Sequence, residues 1–468
     1  MSQLQSLLQT LSDPELSELS QLRLIGKEKS VYDYTLKRRS VAFPPMNEVL
    51  AELKITDAHY YKINSILLRK CYQTLVPAEG KELLQFLKRK NLFHLLRHEI
   101  LFQDKKMAAG TEKVALEAFY LTCFHYLIDF PYKYYDKKLT NAFGQKYLDS
   151  KSNSNESDAL YVKFHILFAD MNRMAARKNP KKAVGVTLAD LLEYEKELQG
   201  SKHYLASYYL YRSICSYYSY YDNNPKKVIE YLEKAITLKD KIAYFFPIDI
   251  SVFLQLLYAD ALFTINNISE AEKIYTAEFQ KGVDENIYGY YYHCEQYILV
   301  SIIRKKFEQA KALLDKVFQP CIDNRLDIYA TRGAMGYVKL YLSNGELKHA
   351  LSYLNIAKVI NEKTFYLPFD VQLRVLENIY FFLKKDYDFS FQLATRNIKF
   401  LKAQEQIDVF ENYLLLWKLI INMLNCIHKN NEITKEMISD YEFLQSRYAN
   451  LYCNLLHEIM GQTKKEIR

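Results

Sequence analysis

Residues 259–275 read ADALFTINNISEAEKIY, and this stretch decides the fold. Apolar residues at helical spacing run up to Asn266-Asn267, and a second run carrying Ala271 and Tyr275 begins directly after it. A short Asn-rich turn between two such runs closes a pair of antiparallel helices. The same design recurs at 337–360, YVKLYLSNGELKHALSYLNIAKVI, with SNGE as its turn, and DNNP precedes Lys226 in the same way. Ser269 and Asn344 stand where a side chain is expected to cap the following helix.

Outward from these pairs, a long helix followed by a second recurs, with first helices beginning near Ala159, His203, Asp249, Glu285, Arg325, Leu367 and Glu405. That makes seven hairpins. The intervals of about 36 to 46 residues are those of an array in which each unit buries its apolar face by stacking on its neighbours. The polar run SKSNSNES, Ser150–Ser157, separates this array, 158–468, from an N-terminal helical region, 1–149. We read the N-terminal region as a cap or extension of the array. Helical spacing is clear there over 58–75, 81–102 and 112–130, and less regular from Gly26 to Pro45.

Composition agrees with an all-α chain. Only 12 Gly and 10 Pro occur in 468 residues, too few for the many turns of a β-protein. The chain holds 41 Tyr and 26 Phe but a single Trp, Trp417, and the aromatics recur at helical spacing, as packing material does. A net charge of +8 from 63 basic and 55 acidic residues is a mild excess that favours solubility more than polyanion binding. Seven cysteines scattered singly, without a CxxC pair, read as reduced residues of a cytoplasmic protein. The opening MSQLQSLLQTLSDPELSEL lacks the cationic and apolar regions of a signal peptide. The most apolar run, Tyr413–Ile427, is too short to span a bilayer and carries Lys418, so no membrane association is expected.

Alanine on the second helix, spaced against a small residue on the first, is the mark of the tetratricopeptide repeat (TPR), and the chain resembles that family over residues 203–400. Tyr258, Ala259, Leu262, Ala271 and Tyr275 make one unit, and Tyr337, Tyr341, Ala350, Leu354 and Ala357 another. Weaker units carry Ala310 with Leu314, Val228 with Leu232 and Ala235, and Ser390 with Ala394. The positions Val228, Ala271, Ala310, Ala350 and Ser390 are spaced by 43, 39, 40 and 40 residues, longer than the roughly 34 of the standard repeat. The opening segment resembles the start of certain bacterial helical-repeat proteins, which brings no function with it. The resemblance implies an all-α, right-handed α-α superhelix, a TPR-like solenoid of helical hairpins following the N-terminal helical region. It also implies a protein or peptide partner held on the concave face. Projecting the family's groove-facing offsets selects Tyr217, Tyr220, Phe253, Leu256, Asp260, Phe263, Tyr292, Glu295, Arg332, Met335 and Lys339.

A well-known member type clamps a C-terminal carboxylate with Lys, Asn and Arg. Arg332 and Lys339 supply cations here, but Leu256, Asp260, Glu295 and Leu299 occupy the other positions, so that clamp is not expected. Enzymatic motifs are missing: there is no GxxxxGK[ST], GxGxxG, GxSxG or HExxH. His94 and His98 share a helical face, but no third ligand accompanies them, so neither metal nor cofactor is expected. The sequence therefore reads as a non-enzymatic binding scaffold. The alternative is a TPR-coupled regulator whose N-terminal helices touch nucleic acid through Lys88, Arg89, Lys90 and Arg97, although nucleic acid is the less expected partner.

Overall fold

The computed structural model describes residues 3–461 apart from 42–43, 77–80, 108–110, 129–135, 151–155, 176–185, 223, 247–248, 286, 288, 324–326, 404–409, 430 and 449–459. Among the described residues there are twenty-five α-helices, one 3₁₀ turn at Ala243–Phe245 and no β-strand. The chain divides into two compact units, Met1–Lys163 and Phe164–Arg468.

The first unit holds α1 (Gln3–Thr10), α2 (Asp13–Leu19), α3 (Gly26–Lys37), α4 (Met46–Leu53), α5 (Asp57–Leu75), α6 (Lys81–Arg89), α7 (Phe93–Lys106), α8 (Lys113–Ile128) and α9 (Lys137–Ser150). Helices α1, α2 and α3 pack on α5, α6 on α7, and α8 on α9. Two features depart from the sequence reading. The irregular segment after Gly26 is a full helix, because Val31, Tyr32, Tyr34 and Thr35 turn inward between charged neighbours that mask the period. The apolar run 81–102 is two helices, broken at Asn91, whose φ of 55° no helix accommodates. The SKSNSNES stretch is only partly visible: α10 (Glu156–Ala175) opens within it and crosses the division between the units, and 151–155 lie outside the described residues.

In the second unit, α10 is followed by α11 (Leu188–Leu198), α12 (Tyr204–Tyr220), α13 (Pro225–Thr237), the short α14 (Lys239–Ile242), α15 (Ile250–Thr264) and α16 (Ile268–Lys281). Then come α17 (Tyr290–Ile303), α18 (Phe307–Val317), the short α19 (Gln319–Asp323), α20 (Asp327–Ser343), α21 (Leu347–Thr364), α22 (Leu367–Leu383), α23 (Tyr387–Lys402), α24 (Glu411–Lys429) and α25 (Lys435–Tyr448). The long helices form neighbouring pairs: α12 with α13, α15 with α16, α17 with α18, α20 with α21, α22 with α23, and α24 with α25. The first pair meets the next through α13 on α15, and from there on successive pairs also meet through their first helices, α15 on α17, α17 on α20, α20 on α22 and α22 on α24.

One turn joins four of these pairs. Asn266, Lys305, Gly345 and Lys385 all take positive φ, of 63°, 58°, 77° and 66°. In each, the following amide donates to a carbonyl near the end of the first helix: Asn267 N to Leu262 O, Lys306 N to Ser301 O, Glu346 N to Tyr341 O, and Asp386 N to Phe381 O. This is the closure in which a left-handed residue lets backbone amides reach orphan helix carbonyls. The small residues Ala271, Ala310, Ala350 and Ser390 then sit at equivalent places on the second helices, at most 1% exposed, where the pair crosses closely. Neither expected cap forms, whereas a residue not singled out in the sequence does cap its helix. Asn224 caps α13 by accepting from Lys227 N at 3.3 Å. Ser269 lies inside α16, and Asn344 donates to Glu346 instead of capping α21.

Two glycines on one face of α20 test the closeness of packing. A Cβ at Gly333 would lie 2.5 Å from Phe318 Cβ, whereas one at Gly336 would lie 2.7 Å from the terminal Leu314 Cδ2. Alanine gains about 1 kcal/mol over glycine inside a helix, and overpacking costs about 1–3 kcal/mol. Phe318 Cβ is tied to its backbone, so the clash wins at Gly333; Leu314 can rotate away. We expect Gly333→Ala to destabilise by about 2 kcal/mol and Gly336→Ala by under about 1 kcal/mol, measured by denaturant unfolding. Equal effects would show that α20 does not approach its neighbours this closely.

Candidate functional site

The first helices of the second unit carry charge where their neighbours are apolar. Asp260 interrupts LYADALF on α15 and is 9% exposed; Lys339 interrupts GYVKLYL on α20 and is 2% exposed. Such groups persist inside a protein only when other groups compensate them. Asp260 accepts a hydrogen bond from the Tyr275 hydroxyl across its own hairpin. Its second oxygen, Oδ2, lies 2.8 Å from Nδ1 of the buried His293 on α17. Burial, reinforced by Asp260, holds the Tyr275 phenol well above its ordinary pKa, so it serves as donor at any neutral pH.

One step along, Glu295 of α17 reaches two cations of α20. Arg332 Nη1 donates to Glu295 Oε2 at 2.8 Å, and Lys339 Nζ stands 3.7 Å from Oε1. Burial lowers the Lys339 pKa, with Glu295 opposing and Arg332 adding to that shift. The Arg332 guanidinium also lies 5.7 Å over the Phe369 ring of α22. Arg332 and Lys339, which a carboxylate clamp would offer to a partner, are thus engaged by the protein's own Glu295. On α12, Arg212 is 8% exposed and sits between the rings of Phe168 and Phe253, at 5.1 and 5.2 Å.

The eleven residues selected from the repeat pattern therefore separate. Phe253, Leu256, Phe263 and Met335 are buried among helices, with Leu256, Phe263 and Met335 wholly inaccessible. Asp260, Glu295, Arg332 and Lys339 form the charged contacts just described. Tyr292 is the exposed one, at 45%, next to His293. Tyr217 is half-buried and stacked on Tyr221 at 5.3 Å; the Tyr220 side chain lies outside the described residues. His293 and Arg212 were not selected by the pattern. Each is a polar residue inside an aromatic run, YGYYYHCEQY and YLYRSI, and that isolation is the available signal.

Elsewhere, three of the four basic residues singled out in the first unit are internally engaged: Lys90 with Glu15 at 2.7 Å, Arg97 with Asp136 at 2.6 Å, and Lys88 over the Tyr126 ring at 4.9 Å. His94 and His98 gather no third ligand, and no group of three metal-ligating side chains exists among the described residues. Six cysteines are buried free thiols, and Cys453 lies outside the described residues. No described helix is long and apolar enough to cross a membrane. No family model, curated protein or solved structure matches the chain.

Proposed function

We propose that residues 164–468 form a right-handed, TPR-like solenoid that serves as a non-enzymatic scaffold in the cytoplasm, receiving a protein or peptide against its row of first helices. The observation that carries this reading is the recurrence of one turn at Asn266, Lys305, Gly345 and Lys385, each followed by a buried small residue on the second helix. Repetition of that geometry sets equivalent faces of successive first helices side by side, as a ligand-binding array requires.

Within that row, Tyr292 presents a large ring at the surface while the charges beside it on α17 and α20 are already compensated. A tyrosine so placed supplies buried area and a polar tip to a partner at low entropic cost. The test uses the intact chain, immobilised and exposed to extract of its own cells, with bound proteins identified by mass spectrometry. Tyr292→Arg is expected to reduce retention of the specific partner about tenfold while leaving the unfolding midpoint unchanged. Retention equal to that of the unaltered protein would remove this face from the reading. Arg332 is a poorer probe, because reversing it would place two carboxylates together and disturb folding as well.

A further inference from the structure

Among the buried charges of the second unit, Arg212 on α12 has no opposite charge. The others are answered: Asp260 by His293 at 2.8 Å, Glu272 by Lys306 at 2.6 Å, Glu278 by Lys281 at 2.8 Å, and Lys339 by Glu295 at 3.7 Å. Arg212 is 8% exposed, forms no ion pair among the described residues, and its Nη1 is buried without a hydrogen-bond partner. The undescribed stretches that interrupt the chain between α10 and α15, residues 176–185, 223 and 247–248, contain neither Asp nor Glu.

The surroundings of this guanidinium are aromatic. It lies 5.1 Å over the Phe168 ring of α10 and 5.2 Å over the Phe253 ring of α15. Tyr208, one turn back on α12, sets a hydroxyl against it; burial holds that phenol above its ordinary pKa although Arg212 pulls the other way, so the hydroxyl keeps its proton. Ring faces attract a cation but carry no net charge, and they engage the flat sides of the guanidinium while its donors point outward along the edges. A buried cation held only in this way retains its demand for an anion.

The chemistry narrows the ligand. One fixed cation with one hydroxyl beside it suits a single negative charge. A carboxylate matches the guanidinium edge with two parallel N–H···O bonds and takes a further one from the Tyr208 hydroxyl. A phosphate dianion would bring a second charge that these groups do not balance, and aromatic walls favour an organic acid over a hydrated inorganic ion. Because Nη1 has no open surface, the ligand displaces covering side chains; the half-buried Phe246, whose ring packs edge-on against Tyr208 at 5.5 Å, is one of them. We infer that the second unit binds a small monocarboxylate through Arg212, and this does not rest on the scaffold reading.

Isothermal titration calorimetry on the intact chain tests it, with acetate and benzoate as probes. The controls are their neutral amides, acetamide and benzamide, and inorganic phosphate. At least one carboxylate is expected to bind about tenfold or more tighter than its amide and than phosphate. Arg212→Met, which keeps an unbranched side chain between the two rings, should weaken that binding about tenfold or more with the circular dichroism spectrum unchanged. Tyr208→Phe keeps the ring and should weaken it about threefold. Absence of heat from both carboxylates up to ~20 mM overturns the inference. So does an amide or phosphate that binds as tightly, or unweakened binding by folded Arg212→Met. Should Arg212→Met fail to fold, the comparison of carboxylate with amide on the unaltered chain, together with Tyr208→Phe, decides.

Discussion

Glu295→Ala is expected to destabilise the second unit by about 3–5 kcal/mol, the cost of leaving a buried cation without its acid. The geometry makes this residue the hub. Its two oxygens face Arg332 at 2.8 Å and Lys339 at 3.7 Å, and Lys339 is 2% exposed, so solvent cannot replace the lost carboxylate there. The asymmetry is the informative part. Lys339→Met removes the costly charge but leaves Glu295 its hydrogen bond from Arg332, so stability should equal that of the unaltered protein or exceed it by about 1 kcal/mol.

The pH dependence follows from the depressed Lys339 pKa. Between that value and the unfolded one near 10.4, the unfolded chain binds the extra proton, so stability rises with pH across this alkaline window. It is lost as pH falls through the folded pKa. Lys339→Met should flatten that rise relative to the unaltered protein. Urea unfolding of the three proteins at pH 7 and pH 10 measures both effects. A large loss in Lys339→Met, or none in Glu295→Ala, would show that the ammonium is solvated and that α17 and α20 do not meet there.

Trp417→Ala is expected to cost about 3–5 kcal/mol, the range for emptying a large aromatic site. Trp417 of α24 has no exposed surface and is the chain's single tryptophan. Around it lies a cluster drawn from five successive helices and α25, running from Ala334 and Val338 of α20 through Leu354 of α21, Leu376 and Ile379 of α22 and Ala394 of α23 to Leu444 of α25. Trp417→Phe should keep most of the stability because much of the volume remains. Since the substitution removes the fluorophore, the comparison is made by circular dichroism. A loss under about 1 kcal/mol in Trp417→Ala would contradict the burial assigned to this ring.

How the cores connect explains what the sequence could reveal. Tyr337 and Leu340 of α20 belong to a cluster with Tyr290, Ile298 and Leu314, while Ala334 and Val338 of the same helix belong to the cluster around Trp417. One helix thus serves two neighbouring cores. That is why apolar spacing, the turns at Asn266 and Gly345, and the small residues Ala271 and Ala350 were legible: each is set by contacts within one hairpin or with the next. The site was legible only by residue type. Asp260 and Lys339 stand out as charges in apolar runs, but offsets copied from a shorter repeat could not separate the buried Leu256, Phe263 and Met335 from the exposed Tyr292. Contacts between α17 and α20, which decide that Glu295 takes Arg332 and Lys339, depend on helix rotation that one sequence does not encode visibly. The same holds for Glu99, which is buried on α7 while His94 and His98 of the same helix are exposed.

Amide hydrogen exchange followed by mass spectrometry, comparing Trp417→Ala with the unaltered chain, tests the stacking most directly. If each hairpin leans only on its neighbours, protection should fall over 367–448 and stay unchanged over 204–264, because among the described residues the main helix contacts run from each hairpin to the next. A uniform fall across both segments would mean a single cooperative core, and the account of paired helices piled one on the next would be wrong.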